Sequence, residues 1–284
     1  MAMQPNRRQF LALAALLAAR PARAAGRLAV IDWALLETTL ALGVVPAAAA
    51  ELKQYARIVS EPIMPQSVID LGLRGNPNLE LLSNLTPDLI VISNFYDYRR
   101  ASFERIAEVL SLPVYLTGEP CLPILRHSTL ALGQRIGRPE QAERLVTALD
   151  AAIADLRLAR RPDGRPAMAI NLGDRRHVRL FGGDTLFGGV LSAAGYRNAV
   201  ADTRYSMTAP VGLEALAREA EAELFVIGPL PPGGGDALAG NALWQALPQV
   251  AAGRVHLLPA LDHFGGVATA TRFAKLVVGG AAAR

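Results

Sequence analysis

The chain has little cysteine, little lysine and no recognisable catalytic motif. Of its 284 residues only Cys121 is a cysteine, so no internal disulfide can form. Lysine occurs only at Lys53 and Lys275. No G-x-S-x-G, G-x-G-x-x-G, Walker loop, H-E-x-x-H or C-x-x-C is present, and the four histidines (His127, His177, His256, His263) have no metal-ligand spacing. The longest N-terminal apolar run, Phe10–Ala19, is too short to span a bilayer and is closed at once by Arg20. Prolines and glycines, 19 and 25 in number, are scattered rather than clustered, which argues for short connections and against a disordered linker.

The N-terminus, "NRRQFLALAALLAARPARA", carries an arginine pair (Arg7, Arg8), the apolar run and a small-x-small cleavage site ending at Ala24. That is the pattern of an export signal of the twin-arginine type, and no cysteine near the site could anchor a lipid. Residues 1–24 hold four arginines and no acid, so their removal takes the formal charge from +4 to zero. The basic balance therefore belongs to the signal, and the mature chain has no basic surface suited to nucleic acid.

Strand-like and helix-like stretches then alternate, as in parallel sheets covered by helices. Strands are expected at 27–32, from Val44, at 69–73, 86–93, 112–116, 167–172, 222–228 and 254–260. Helices are expected at 33–43, after an Asn76 cap with Pro77 in the first turn, over 103–110, and within 181–196 and 241–250. From Pro139 to Arg161 one long helix is predicted, with proline at its start, acids early and arginines late. The expected fold is α/β, two Rossmann-like lobes bridged by that helix. The expected organisation is a signal over 1–24, an N-terminal lobe over 25–138, the interlobe helix over 139–161 and a C-terminal lobe over 162–284. The glycines at 182–183 and 188–189 suit a strand-to-helix turn. An exported α/β protein without a catalytic set points to binding.

Four stretches, "RLAVIDWALLETTLALGVVPAA", "VSEPIMPQSVIDLGLRGNPNLELLSNLTPDLIVIS", "FGGDTLFGGVLSAAGYRNA" and "LWQALPQVAAGRVHLLPA", resemble the periplasmic siderophore-binding proteins of iron–siderophore and cobalamin ABC importers, in particular the ferric-hydroxamate (ferrichrome-type) group. The resemblance implies two α/β lobes bridged by one helix, with the ligand in a shallow cleft between them. It implies a periplasmic, non-enzymatic monomer without an intrinsic cofactor, whose iron arrives only inside the siderophore. Its partners would be a ferric siderophore and an ABC permease with its ATPase.

The same resemblance places Arg74 on an arginine that donates to the hydroxamate oxygens, and Tyr96 on a tyrosine that also bonds them. Ile58 stands where the ferrichrome-type protein has a tryptophan. A second tryptophan falls in "RYSMTAP", with Tyr205, Ser206 or Met207 near its position. Asp262, His263 and Phe264 replace an aromatic trio. These changes point to a ligand more polar than ferrichrome. Surface carboxylates at Glu214 and, one turn after Ala101, at Glu104 correspond to permease-docking positions. Two further readings stay open. One is the same fold with haem, cobalamin or another chelate as ligand. The other is an exported siderophore hydrolase using His263 and Asp262.

Overall fold

A computed structural model describes residues 26–59, 61–160, 163–200, 210–231 and 234–282. The export-signal residues 1–24 and Tyr205 lie outside the described residues.

In the first lobe β1 (Leu28–Val30), α1 (Trp33–Ala41), β2 (Ala48–Ala49), α2 (Leu52–Ile58), β3 (Ile69–Asp70), α3 (Leu79–Asn84), β4 (Leu89–Ser93), a 3₁₀ turn over Asn94–Arg99, α4 (Arg100–Glu104) and β5 (Glu108–Leu112) follow in order. The five strands form one parallel sheet in the order β3-β2-β1-β4-β5. Side chains alternate across it. Leu28, Val30, Leu89 and Val91 face the large central core, while Ala29, Ile31, Ile90 and Ile92 face a smaller outer one.

Helices α5 (Cys121–Arg135) and α6 (Pro139–Ala159) lead to the second lobe. There β6 (Pro166–Leu172), β7 (His177–Phe181), α7 (Leu186–Ala193), β8 (Arg197–Asn198), β9 (Val211–Gly212), β10 (Glu223–Gly228), α8 (Gly234–Ala239), α9 (Ala242–Gln245), α10 (Pro248–Ala251), β11 (Val255–Ala260) and α11 (Val267–Ala282) follow. This sheet runs β11-β10-β6-β7-β9, with β8 beside β6. It is mixed rather than parallel, because β7 runs antiparallel to both β6 and β9.

Several boundaries depart from the sequence expectation, each for a local reason. The run expected as a helix over 103–110 splits. Its first part ends α4, and Glu108–Leu112 pairs in register with Leu89–Ser93 as β5. Pro113, which has no N–H for a ladder, follows the last paired residue. The second strand lies beyond Pro46 at Ala48–Ala49, where register with β1 overrides the weak strand propensity of alanine. Asn78 rather than Asn76 caps α3, its Oδ1 accepting from the Leu81 N–H at 2.9 Å. Neither α5 nor α11 was expected as a separate helix.

The two sheets share one apolar core. It runs from β1 and β4 through α1, α5, α6, α7 and α11 to Ala167, Ala169, Phe181, Phe225 and Ile227 of the second sheet. Two buried carboxylates fasten the lobes to each other. Glu37 of α1 accepts from the backbone N–H of Thr269, in the first turn of α11, and from its hydroxyl at 2.7 Å. Asp184 accepts from the Tyr115 hydroxyl at 2.8 Å. Gly266 lets α11 start this close to α1, since a Cβ there would stand 2.9 Å from the Ala34 carbonyl oxygen.

Candidate functional site

The C-terminal ends of the first-lobe strands converge on Arg74, in the turn after β3. Its Nε donates to Glu51 Oε2 at 2.7 Å, and its guanidinium carbon lies 3.5 Å from the centre of the Trp33 indole. Trp33 is itself held: its Nε1–H donates to the Ala50 carbonyl at 3.0 Å, and Tyr55 packs edge-on against it at 5.7 Å. Glu51 stands in the left-handed region (φ 59°) just before α2 and makes no helix-capping bond with its side chain. That conformation is uncommon for a residue other than glycine, and it occurs where Glu51 meets Arg74. Among the described residues nothing accepts a hydrogen bond from the two terminal nitrogens of Arg74, which is only partly buried. The arginine is thus held on two sides, by Glu51 and Trp33, with the end of its fork unbonded among the described residues.

Tyr96 stands half-buried in the 3₁₀ turn after β4, near Arg74. Burial pushes its hydroxyl pKa up, with the negative charge of Asp32 adding to the effect and Arg74 opposing it, so it stays a neutral donor. Asp32 caps α1 through the Leu35 N–H at 3.1 Å and accepts from Ser93 Oγ at 2.8 Å. Its pKa is raised by burial.

From the second lobe, the loop after β11 brings Asp262, His263 and Phe264 to the same place. Asp262 is 5% exposed. Its Oδ1 accepts from the Phe264 N–H at 3.1 Å, and burial pushes its pKa up to about 6. It is close enough to Arg74 for the two charges to act on each other. His263 makes no hydrogen bond with Asp262 among the described residues. Burial and then the charges of Arg179 and Arg74 push its pKa down to about 4, so the ring is neutral at pH 7.

Phe264 completes an aromatic cluster spanning the lobes. Its ring lies 5.3 Å from Phe95, 6.5 Å from Tyr115 and 4.6 Å from His263, and His263 in turn lies 5.9 Å from Phe181. Beside it a cavity of about 320 Å³ is lined by Ile58 from the first lobe and by Asn171, Pro229, Leu261 and His263 from the second. The structure therefore brings Arg74, Tyr96, Asp262, His263 and Phe264 together at the lobe junction. It places Glu104 and Glu214 elsewhere, both exposed. Glu104 is paired with Arg100 at 2.8 Å, whereas Glu214 opens a 3₁₀ turn after β9.

Trp33, Glu51, Phe95 and Tyr115 were not among the expected site residues. Trp33 reads as the start of an apolar helix. Only the fold brings Trp33 or Glu51 to Arg74.

A family model described as "Periplasmic binding protein" matches residues 28–261. The iron(3+)-hydroxamate-binding protein FhuD of Escherichia coli is 32% identical over 254 residues, covering 88% of this chain and 85% of that protein. The crystal structure of FhuD from Vibrio cholerae bound to Fe3+–Desferal superposes with a TM-score of 0.84 at 26% identity, over 90% of this chain and 97% of that one. The petrobactin-binding protein YclQ of Bacillus subtilis shares the fold (TM-score 0.72, 20% identity, covering 91% and 93%).

Proposed function

The chain belongs to the periplasmic binding protein family, and from that premise we propose that it captures a ferric siderophore of the hydroxamate type and hands it to an ABC permease for iron uptake. The observation that carries this reading is the state of Arg74. It is a permanently charged fork, pinned by Glu51 and Trp33, with its terminal donors unbonded among the described residues.

In a ferric hydroxamate the six siderophore oxygens saturate the iron, so the receptor binds the chelate and not the metal. Such a ligand needs donors for its iron-bound oxygens and apolar walls for its backbone. Arg74 and the Tyr96 hydroxyl supply the first. Phe264, Phe95 and Ile58 supply the second, with the neutral His263 ring beside them. Asp262 acts as a counter-charge to Arg74. The iron is cargo, and no cofactor resides in the protein.

The continuous core and the two buried interlobe carboxylate bonds suit a receptor that binds with little closure. On this reading the chain is exported, cleaved after Ala24 and works in the periplasm as a monomer. Glu214, exposed on the second lobe, is the docking carboxylate for permease arginines, with Glu104 its counterpart on the first lobe. Absorbance of the purified protein after incubation and desalting tests the assignment. A ferric hydroxamate should remain bound at one per chain. Retention of haem or cobalamin in its place would reassign the ligand.

A further inference from the structure

On the reading just given, the geometry points to Arg179 as a second ligand-recognising arginine, and to a ferric hydroxamate that carries a free carboxylate. Arg179 lies on β7 directly opposite Asn171 of β6, a residue that lines the interlobe cavity. Residues paired across antiparallel strands point to the same face, so Arg179 shares the face of Asn171 and of its own i+2 neighbour Phe181. Phe181 packs on His263, the cavity residue of the loop after β11. His263 thus lies within electrostatic reach of an arginine from each lobe.

The two arginines are not equivalent. Arg74 has Glu51 as its counter-charge. Among the described residues Arg179 makes no hydrogen bond, and no carboxylate of theirs lies within ion-pair distance of its guanidinium, whose Nε is buried. A part-buried guanidinium without a counter-charge is unfavourable, so an anionic group brought by the ligand to its terminal nitrogens is favoured. A planar fork of donors fits a carboxylate better than any other acceptor of that size. Iron(III) held by three hydroxamates forms a neutral chelate, which offers no charge to a second guanidinium. A pendant carboxylate offers one. His263, uncharged at pH 7, adds no competing cation.

A matched set of ferric chelates tests this. One linear tris-hydroxamate is used with its terminal amine free, acetylated or succinylated, so that only the end charge changes. Binding to the mature protein is measured by titration calorimetry at low salt. The succinylated chelate should bind at least tenfold tighter than the acetylated one, and the free amine weakest. In Arg179→Gln the preference for succinyl over acetyl should collapse to about unity, and Arg179→Lys should keep part of it. Equal affinities of the wild type for the acetylated and succinylated forms, or a preference unchanged in Arg179→Gln, would overturn the inference while leaving the receptor assignment standing. Failure of all three chelates to bind would overturn the assignment and this inference with it. If Arg179→Gln does not fold, the wild-type ratio and Arg179→Lys decide the matter.

Discussion

The Arg74 guanidinium lies over the Trp33 indole, 3.5 Å from its centre, with Glu51 holding Nε from the side. This arrangement fixes both the position and the orientation of the cation. A cation over an indole contributes roughly 0.5–2 kcal/mol. The ion pair with Glu51 adds little on a part-exposed surface, but it selects one rotamer. Pre-ordering the arginine means that less side-chain entropy is lost when a ligand docks.

The pairing makes Trp33 a reporter. The other tryptophan, Trp244, is buried in the separate core on the outer face of the second sheet. Ligand-dependent quenching of tryptophan fluorescence should therefore persist mainly in Trp244→Phe and largely vanish in Trp33→Phe. The opposite pattern would place the ligand away from Arg74.

Glu51→Gln should loosen the arginine without removing it. The expected loss in ferric hydroxamate affinity is about three- to tenfold, smaller than that of deleting Arg74, with the melting temperature nearly unchanged because the pair is a quarter exposed. Calorimetry alongside a thermal melt separates the two effects.

Glu37 sets a pH dependence. Burial raises its pKa from 4.5 to about 7, so the native state holds a proton that the unfolded chain releases between those values. Stability contributed by this group is thus greatest below about pH 4.5 and falls as pH rises toward 7. Asp262, raised to about 6, acts in the same sense. His263, lowered from 6.5 to about 4, acts in the opposite one, because the unfolded chain binds the extra proton in that window. Glu37→Gln should flatten the fall between pH 5 and 7 by on the order of 1–3 kcal/mol. Denaturant melts of both proteins across this range check it, and parallel profiles would remove Glu37 as the source.

Charge reversal at Glu214 should abolish ferric siderophore uptake in cells while binding in solution stays within about twofold, since the residue is exposed and lies in the turn after β9. Glu104 already has Arg100 as a partner, so its reversal should cost less. Full uptake in the Glu214 variant would exclude it as a docking residue.

The α/β alternation and the long helix from Pro139 were legible because apolar periodicity and proline placement are local signals. The strand at Glu108–Leu112 was not, because its identity depends on pairing with Leu89–Ser93 and not on its own residues. The antiparallel entry of β7 was hidden for the same reason. At the site, Arg74 was singled out through the resemblance of its stretch to ferric-hydroxamate receptors. Its partners were not: Glu51 and Trp33 stand 23 and 41 residues away, and the left-handed backbone at Glu51 has no glycine to announce it. Asp262 was expected among the ligand-binding residues; its burial, in a turn where its own side chain accepts the Phe264 N–H, was not legible in the sequence.

The central claim rests on Arg74, and one titration addresses it most directly. The mature protein and Arg74→Ala are each titrated with a ferric tris-hydroxamate while tryptophan quenching is followed. The account predicts saturable one-to-one binding by the wild type, weakened about 10- to 150-fold by the alanine variant, the loss of one charged hydrogen-bond donor, with Arg74→Lys only partly restoring it. Equal affinity in wild type and Arg74→Ala, with both proteins folded, would contradict it.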